Sequence, residues 1–162
     1  MSAIISDCGQ YRYLLIRESG LPLAEGPAAL FIMLNPSTAD ATLDDPTIRR
    51  CRGFAQAWGC SGLAVANLYA YRATNPRELL LCADPVGPEN DTRLAALARE
   101  YGDIVCAWGK NAKPDRVDAV AAILQSSGAR LWCLGTNKDG SPKHPLYIKQ
   151  DQQLIRWHAT KA

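Results

Sequence analysis

Short apolar runs alternate with segments of helical periodicity along this chain, and this alternation constrains the fold more than any other feature. The runs 29–34 and 63–68 are almost continuously apolar, which is typical of strands covered on both faces. Between them, residues 46–58 carry apolar side chains at steps of three and four, which indicates a helix. The sequence therefore predicts an α/β fold, a three-layer α/β/α sandwich with a mostly parallel central sheet.

The other predicted elements continue this alternation. Residues 11–17 are rich in aromatic and branched side chains and precede Gly20 and Pro22, which predicts an edge strand in a leading hairpin. Further strands are predicted at 104–108 and 130–134, and helices at 76–81, 89–101, 114–126 and 148–158.

The length and charge of the chain limit its class. With 162 residues, we expect a single α/β domain over residues 1–162. A hydrophobic content of 48% and a charged content of 21% are those of an ordinary globular protein. The net charge of +2 is too small to indicate a nucleic-acid binder through bulk electrostatics, so any basic surface must be local.

The cysteines and histidines of the sequence indicate the redox compartment of the protein and whether it can hold a metal ion. The six cysteines form no CxxC pair and follow no signal sequence, which predicts a reduced, cytoplasmic protein. With only two histidines in the chain, a zinc site would need widely separated ligands, so we expect no structural metal. No cofactor is expected either. The apolar stretches are far shorter than the roughly 20 residues that cross a bilayer, so we expect no membrane partner. The oligomeric state is not predicted.

Polar residues follow three of the predicted strands, at the point where each strand ends. The carboxyl ends of neighbouring strands border one crevice in an open α/β sheet. We therefore expect Asn35, Asn67 and His144 to meet around a ligand.

The first of these loops offers several polar groups. The Asn35 amide carries a donor and an acceptor that can orient a water or a base edge, while Pro36 stiffens the turn. Ser37 and Thr38 add hydroxyls, and backbone N–H groups in such a loop bind anions. An ordinary turn, in which these side chains bond their own backbone, explains the pattern equally well.

Three acidic residues follow that loop. Asp44 and Asp45 precede a predicted helix, so capping and dipole stabilisation explain them without a catalytic role. Asp40 is the better candidate for a general base.

The second loop begins with Asn67, an amide at the end of an apolar strand. Such an amide either finds protein partners at the sheet end or faces a cavity. Tyr69, Tyr71 and Arg72 come next, and aromatic faces and a guanidinium stack on bases and hold phosphates. The loop favours a nucleotide-like ligand.

The last loop places His144 beside Lys143 in a segment rich in glycine and proline. An imidazole there donates to a developing anion or exchanges a proton near neutral pH, and lysine attracts phosphate. A surface histidine in a basic loop is the alternative. Residues 108–111, Trp-Gly-Lys-Asn, form a fourth strand-end candidate, although Trp108 alternatively caps the core.

Several phrases of the sequence resemble one protein family. LNPSTAD at 34–40, DDPTIRRC at 44–51, NLYAYRAT at 67–74 and GSPKHPLY at 140–147 are similar to the family known as domain of unknown function 1643. The resemblance covers most of the chain and implies no biochemical role.

A more distant resemblance is to the uracil-DNA glycosylase superfamily, carried by Asn35-Pro36 and His144-Pro145. It implies that Asn35 positions the attacking water and that His144 stabilises negative charge on the departing base. Asn67 would then recognise the base edge. The chain has Met33 where that superfamily usually has glycine, and 146–147 read Leu-Tyr where Ser-Pro often follows.

Three functions remain open from the sequence. The leading hypothesis is a nucleobase- or nucleic-acid-directed enzyme that hydrolyses an N-glycosidic bond. The alternatives are a non-catalytic module that binds a nucleotide or modified base, and Mg²⁺-dependent nucleotidyl or phosphoryl transfer through Asp40, Asp44 and Asp45. The expected partner is nucleic acid or a nucleotide. The candidate catalytic residues are Asn35, Asp40 and His144; the candidate substrate-binding residues are Pro36, Ser37, Thr38, Asn67, Tyr69, Tyr71, Arg72 and Lys143.

Overall fold

The structure is a computed structural model that describes residues 2–18, 26–37 and 42–159. Within these residues the chain forms one seven-stranded mixed sheet and four α-helices, which confirms the α/β class. The strands are β1 (Ser2–Ile5), β2 (Arg12–Glu18), β3 (Ala29–Met33), β4 (Gly62–Asn67), β5 (Asp103–Cys106), β6 (Arg130–Cys133) and β7 (Ile155–Arg156). The helices are α1 (Pro46–Ala57), α2 (Arg77–Leu81), α3 (Asn90–Tyr101) and α4 (Pro114–Ser126), and a 3₁₀ turn spans Pro145–Tyr147.

The sheet has a parallel centre and antiparallel edges. Its strand order is β1-β2-β4-β3-β5-β6-β7. Strands β4, β3, β5 and β6 pair in parallel, whereas β1 with β2, β2 with β4 and β6 with β7 pair antiparallel. The prediction of a mostly parallel sheet is wrong, because β1, β2 and β7 all pair antiparallel. For β1 and β2 the reason is the short hairpin that joins them, since such a connection permits only antiparallel pairing.

Two predicted edge elements differ from the structure. Strand β2 is not an edge strand, since it lies between β1 and β4. The prediction of a helix at 148–158 is wrong: β7 lies in this segment and pairs with β6. Here Trp157 is buried while Ile155 and Arg156 are exposed, and the Trp157 N–H donates to the Leu131 carbonyl at 2.9 Å.

The described helices cover both faces of the sheet, because side chains alternate along its buried strands. On β3, Leu30 and Ile32 pack in the cluster that contains α3 and α4 residues. Phe31 and Met33 pack in the cluster that contains α1 residues. We call these two sides the α3–α4 face and the α1 face.

A β-bulge in β2 changes which face its first residue meets. Ile4 pairs with Leu14, but Ile5 pairs with Arg12, so Tyr13 is an extra residue in β2. As a result Arg12 lies on the α1 face, while the Tyr13 ring lies under the Arg93 guanidinium of α3. The bulge therefore places the buried Arg12 near the carboxyl ends of the parallel strands.

Among the described residues there is no helix with both the length and the apolar character needed to span a membrane.

Candidate functional site

A cavity of about 670 Å³ opens at the carboxyl ends of the parallel strands, on the α1 face. We call it cavity A. Met33 of β3 and Val65 of β4 lie in its apolar wall, the amino end of α1 forms one side, and the loop 135–148 forms another. Its volume lies in the range of small-molecule sites.

The structure brings the three strand-end candidates together. Asn35 after β3, Asn67 at the end of β4 and His144 in the loop beyond β6 all line cavity A. Parallel pairing of β3 with β4 places Met33 opposite Asn67, so the two strands end at the same level. The sheet topology thus assembles residues that are far apart in sequence.

Asn67 is the most unusual of these residues. Its side chain is 1% exposed, and neither Nδ2 nor Oδ1 has a hydrogen-bond partner among the described residues. Leaving a buried polar group unpaired costs roughly 1–3 kcal/mol, and native proteins contain few such groups. The Asn67 amide therefore has both its donor and its acceptor available for a ligand in cavity A.

Asn35 is held in one orientation by the backbone. Its Nδ2 donates to the carbonyl oxygens of Ala73 at 2.8 Å and Pro36 at 3.0 Å. Among the described residues, no donor contacts its Oδ1. The side-chain oxygen is therefore the atom that can accept a hydrogen bond from a water or a ligand.

His144 caps the 3₁₀ turn Pro145–Tyr147. Its Nδ1 accepts a hydrogen bond from the Leu146 N–H at 3.3 Å, so the proton of the neutral ring lies on Nε2. Burial lowers the pKa of His144 below its ordinary value, and the carboxylate of Asp45 partly opposes this shift. At neutral pH the ring is therefore an uncharged donor in the wall of cavity A.

Asp45 links the first polar loop to α1. It is the N-cap residue of α1, where its Oδ1 accepts from the Ile48 N–H at 2.8 Å. Its Oδ2 accepts from the Ser37 hydroxyl, and both side chains line cavity A. Asp45 is the one carboxylate among the described residues that line this cavity, and both of its oxygens are engaged.

Other predicted site residues fall into three groups. Lys143 lines cavity A with an exposed side chain. Pro36 is buried but is absent from the lining of cavity A, and its carbonyl accepts from the Ala73 N–H at 2.9 Å. Thr38 and Asp40 lie outside the described residues.

The second polar loop turns away from cavity A after Asn67. Tyr69 is buried, and its hydroxyl accepts from the Lys113 N–H at 3.3 Å on the α3–α4 face. Tyr71 packs edge-on against Tyr11, and Arg72 donates to the Gly9 carbonyl at 3.4 Å. The structure does not bring Tyr69, Tyr71 or Arg72 to the cavity that holds Asn35 and Asn67.

Sequence reasoning missed Arg12. This residue is 2% exposed and lines cavity A, where the bulge at Tyr13 places it on the same face as Asn67. The signal was a cation at the start of an otherwise apolar run.

The fourth strand-end candidate was the segment 108–111. All four of its residues line cavity A, and Trp108 also packs in the core against Trp157.

The two members of the acidic cluster that the structure describes, Asp44 and Asp45, are engaged in structural contacts. Asp44 accepts from the Arg17 Nε at 2.5 Å and from the Arg52 Nη1 at 3.3 Å. Over the described residues, no group of three or more His, Cys, Asp or Glu side chains is arranged to hold a metal ion. Asp44 is therefore best explained as the carboxylate that neutralises the buried Arg17.

A known family matches most of the chain. The family model described as "Protein of unknown function (DUF1643)" matches residues 12–146. The matched range begins at Arg12 and contains Asn35, Asn67 and His144, so it includes the polar residues on which the geometry of cavity A depends. Comparison with the curated proteins and with the solved structures gave no match.

Proposed function

The chain belongs to the DUF1643 family, and we propose that this member is a nucleobase-directed enzyme that hydrolyses an N-glycosidic bond. The observation that carries the proposal is the buried amide of Asn67, which has no partner in the described part of the chain and lies in a cavity shared with Asn35 and His144. A base edge presents donors and acceptors side by side, and an Asn amide matches such an edge with one of each.

The proposed reaction assigns one role to each of the three residues. Asn67 binds the base edge, and the Asn35 oxygen accepts from a water and holds it near C1′ of the sugar. The water oxygen bonds to C1′ as the C1′–N bond breaks, and the bonding electrons leave with the base. The His144 Nε2–H donates to the negative charge that develops on the base, which an uncharged donor in a buried wall stabilises without a charge of its own.

The proposal extends to the base that accepts the water proton and to the fold family. Asp40 is the proposed general base, because the described carboxylate in the lining, Asp45, is engaged through both oxygens. We further propose the three-layer architecture of the uracil-DNA glycosylase superfamily. Helices on both faces of the sheet and polar strand ends support this assignment.

A binding module without catalysis is the second candidate. The observation that favours it is the engagement of Asp45, because base binding through Asn67 needs no general base. In that case the cavity would recognise a nucleotide or modified base and release it unchanged.

The test is base release from single-stranded oligonucleotides that each carry one deaminated, oxidised or alkylated base. Wild type should release at least one of these bases. Asn35→Ala, Asp40→Asn and His144→Ala should each lower the rate by about 100-fold or more, the usual scale for losing a general acid or base or an electrostatic donor. His158→Ala, which changes the exposed second histidine outside cavity A, serves as the control.

Two outcomes separate the candidates. Release by wild type that survives in the His144→Ala and Asn35→Ala variants would contradict the catalytic roles. Measurable base binding that Asn67→Leu abolishes, without release from any substrate, would establish the binding module instead.

A further inference from the structure

A second cavity lies on the α3–α4 face, beside the first. It has a volume of about 650 Å³ and we call it cavity B. Its wall is mainly apolar, with Tyr69 after β4, Leu79 and Leu80 of α2, and Val86. Each of the two cavities is large enough to hold a small molecule by itself.

Cavities A and B share a wall at the carboxyl end of β3. Leu34, Pro76 and Asn111 line both of them. Asn35 borders cavity A immediately after Leu34, and Arg77 borders cavity B immediately after Pro76. A ligand that passes over this shared wall can occupy both cavities at once.

Cations stand on both sides of the shared wall. Lys110 lines cavity A, Lys113 lines cavity B, and Arg77 lines cavity B at the start of α2. Among the described residues, these three form none of the salt bridges of the molecule. Cavity B also contains Asp115, and its Arg116 is already paired with Asp91. The positions between the cavities therefore favour an anionic linker.

Cavity B also has an exposed apolar side chain, which provides a surface for a base. Leu80 is 68% exposed and lines cavity B, as does the buried Tyr69. Proteins that hold single-stranded nucleic acid combine cations along the backbone with side chains on which the bases pack, most often aromatic ones. Cavity B has the cations Arg77 and Lys113 and, in place of an exposed aromatic ring, the exposed apolar side chain of Leu80.

We propose that cavity B binds the nucleotide adjacent to the one in cavity A, so that the natural ligand is a single-stranded polynucleotide rather than a free base or mononucleotide. This inference rests on the proposed function of cavity A and adds a second subsite to it. The phosphate between the two nucleotides crosses the wall formed by Leu34, Pro76 and Asn111, where Lys110 and Lys113 flank it. The second base packs against Leu80.

The test is equilibrium binding of single-stranded oligodeoxyuridylates of one, two and six nucleotides, with the matching adenylate series. We expect the dinucleotide to bind about tenfold or more tightly than the mononucleotide, because its second base packs against Leu80 and its added phosphate meets Lys110 and Lys113. Leu80→Ser should reduce this gain without changing mononucleotide binding. Leu81→Ser changes the neighbouring residue of α2, which is 88% exposed and outside cavity B, and should leave the gain intact.

The charge contribution is measured by the salt dependence of dinucleotide binding. Lys113→Gln should lower the slope of log affinity against log salt by about 0.7, the value for one phosphate contact on a single strand. Arg99→Gln removes one positive charge from the last turn of α3, outside both cavities, and should not change the slope.

The outcomes distinguish this inference from the function on which it rests. If a mononucleotide binds and Asn67→Leu abolishes its binding, but the dinucleotide binds no more tightly, cavity B is not a nucleotide subsite and cavity A keeps its proposed role. A length gain that Leu80→Ser leaves intact also overturns the inference. If no member of either series binds, this inference fails, and base release from the oligonucleotides with modified bases decides the proposed function of cavity A separately.

Discussion

Two buried asparagines at the end of β4 behave in opposite ways. Asn90 of α3 is fully buried on the α3–α4 face, and its Nδ2 donates to the carbonyl oxygens of Asn67 at 3.0 Å and Leu68 at 3.1 Å. The side chain of Asn67 is equally buried on the other face, and neither of its polar atoms has a partner among the described residues. The Asn90 amide holds the strand end in place through Nδ2, and its Oδ1 has no partner among the described residues. The Asn67 amide has neither atom paired among those residues and is left for a ligand.

The same division extends to the residues around them. On the α3–α4 face, Arg116 donates through Nε to the Leu68 carbonyl at 2.8 Å and through Nη2 to Asp91 at 2.7 Å. On the α1 face, His144 and Asn35 each use one side-chain atom to fix their orientation and keep another for cavity A. On the α3–α4 face the Asn90 and Arg116 donors support the fold. On the α1 face the Asn67 amide, which has no partner among the described residues, carries a stability cost that a ligand can offset.

The largest expected effect on stability is the loss of the Asn90 amide. Asn90→Ala leaves the Asn67 and Leu68 carbonyls without these two donors, and should lower the free energy of unfolding by about 2–4 kcal/mol. Asn67→Ala is the matched control, because it makes the same truncation at an equally buried position and removes no hydrogen bond to any residue that the structure describes. Chemical denaturation of both variants measures the difference, and equal losses would contradict the division between the two faces.

A smaller effect of opposite sign is expected for Asn67→Leu. Replacing an unpaired amide by an apolar group of similar size, next to Val65 and Met33, should raise the free energy of unfolding by about 1–2 kcal/mol. The same variant should lose ligand binding. If the Asn67→Leu variant is less stable than wild type, the Asn67 amide makes a stabilising interaction within the folded protein and is not available for a ligand.

The smallest effect is on the pH dependence of stability. Because burial lowers the pKa of His144, the folded state resists protonation of this ring more than the unfolded state does. The resulting stability is present above the ordinary pKa of 6.5 and is lost as the pH falls through the lowered value. The unfolding free energy of wild type should therefore fall more than that of His144→Gln between pH 8 and pH 5. Parallel curves for the two proteins would show that His144 does not resist protonation.

Local sequence patterns were sufficient for the central elements. Helix α4 has the predicted bounds, and α1 begins at the predicted Pro46, because proline in the first turn marks a helix start in both. Strands β3 and β4 lie within one residue of their predicted ends, because a continuous apolar run is typical of a strand that is buried on both faces of the sheet. The convergence of Asn35, Asn67 and His144 was predicted from the α/β alternation, because the carboxyl ends of neighbouring parallel strands border one crevice.

Features that depend on pairing between residues far apart in sequence could not be predicted from local patterns. Strand β7 exists because Arg156 and Ile155 pair with β6, and the guanidinium of Arg156 lies over the Trp132 ring. Arg12 reaches cavity A through a bulge that depends on the register between β1 and β2. Tyr71 follows a strand end in sequence, but the chain there turns toward Tyr11.

The most direct test of the central claim is an NMR titration of the side-chain amides of Asn67 and Asn90, assigned with the Asn67→Leu and Asn90→Ala variants. The probe is a short single-stranded oligonucleotide that binds the wild-type protein. We expect the Asn67 Nδ2 resonances to shift strongly on binding and to gain protection from hydrogen exchange, while those of Asn90 stay in place and are protected throughout. Asn67 resonances that are already protected without the oligonucleotide, or that do not respond to it, would contradict the account.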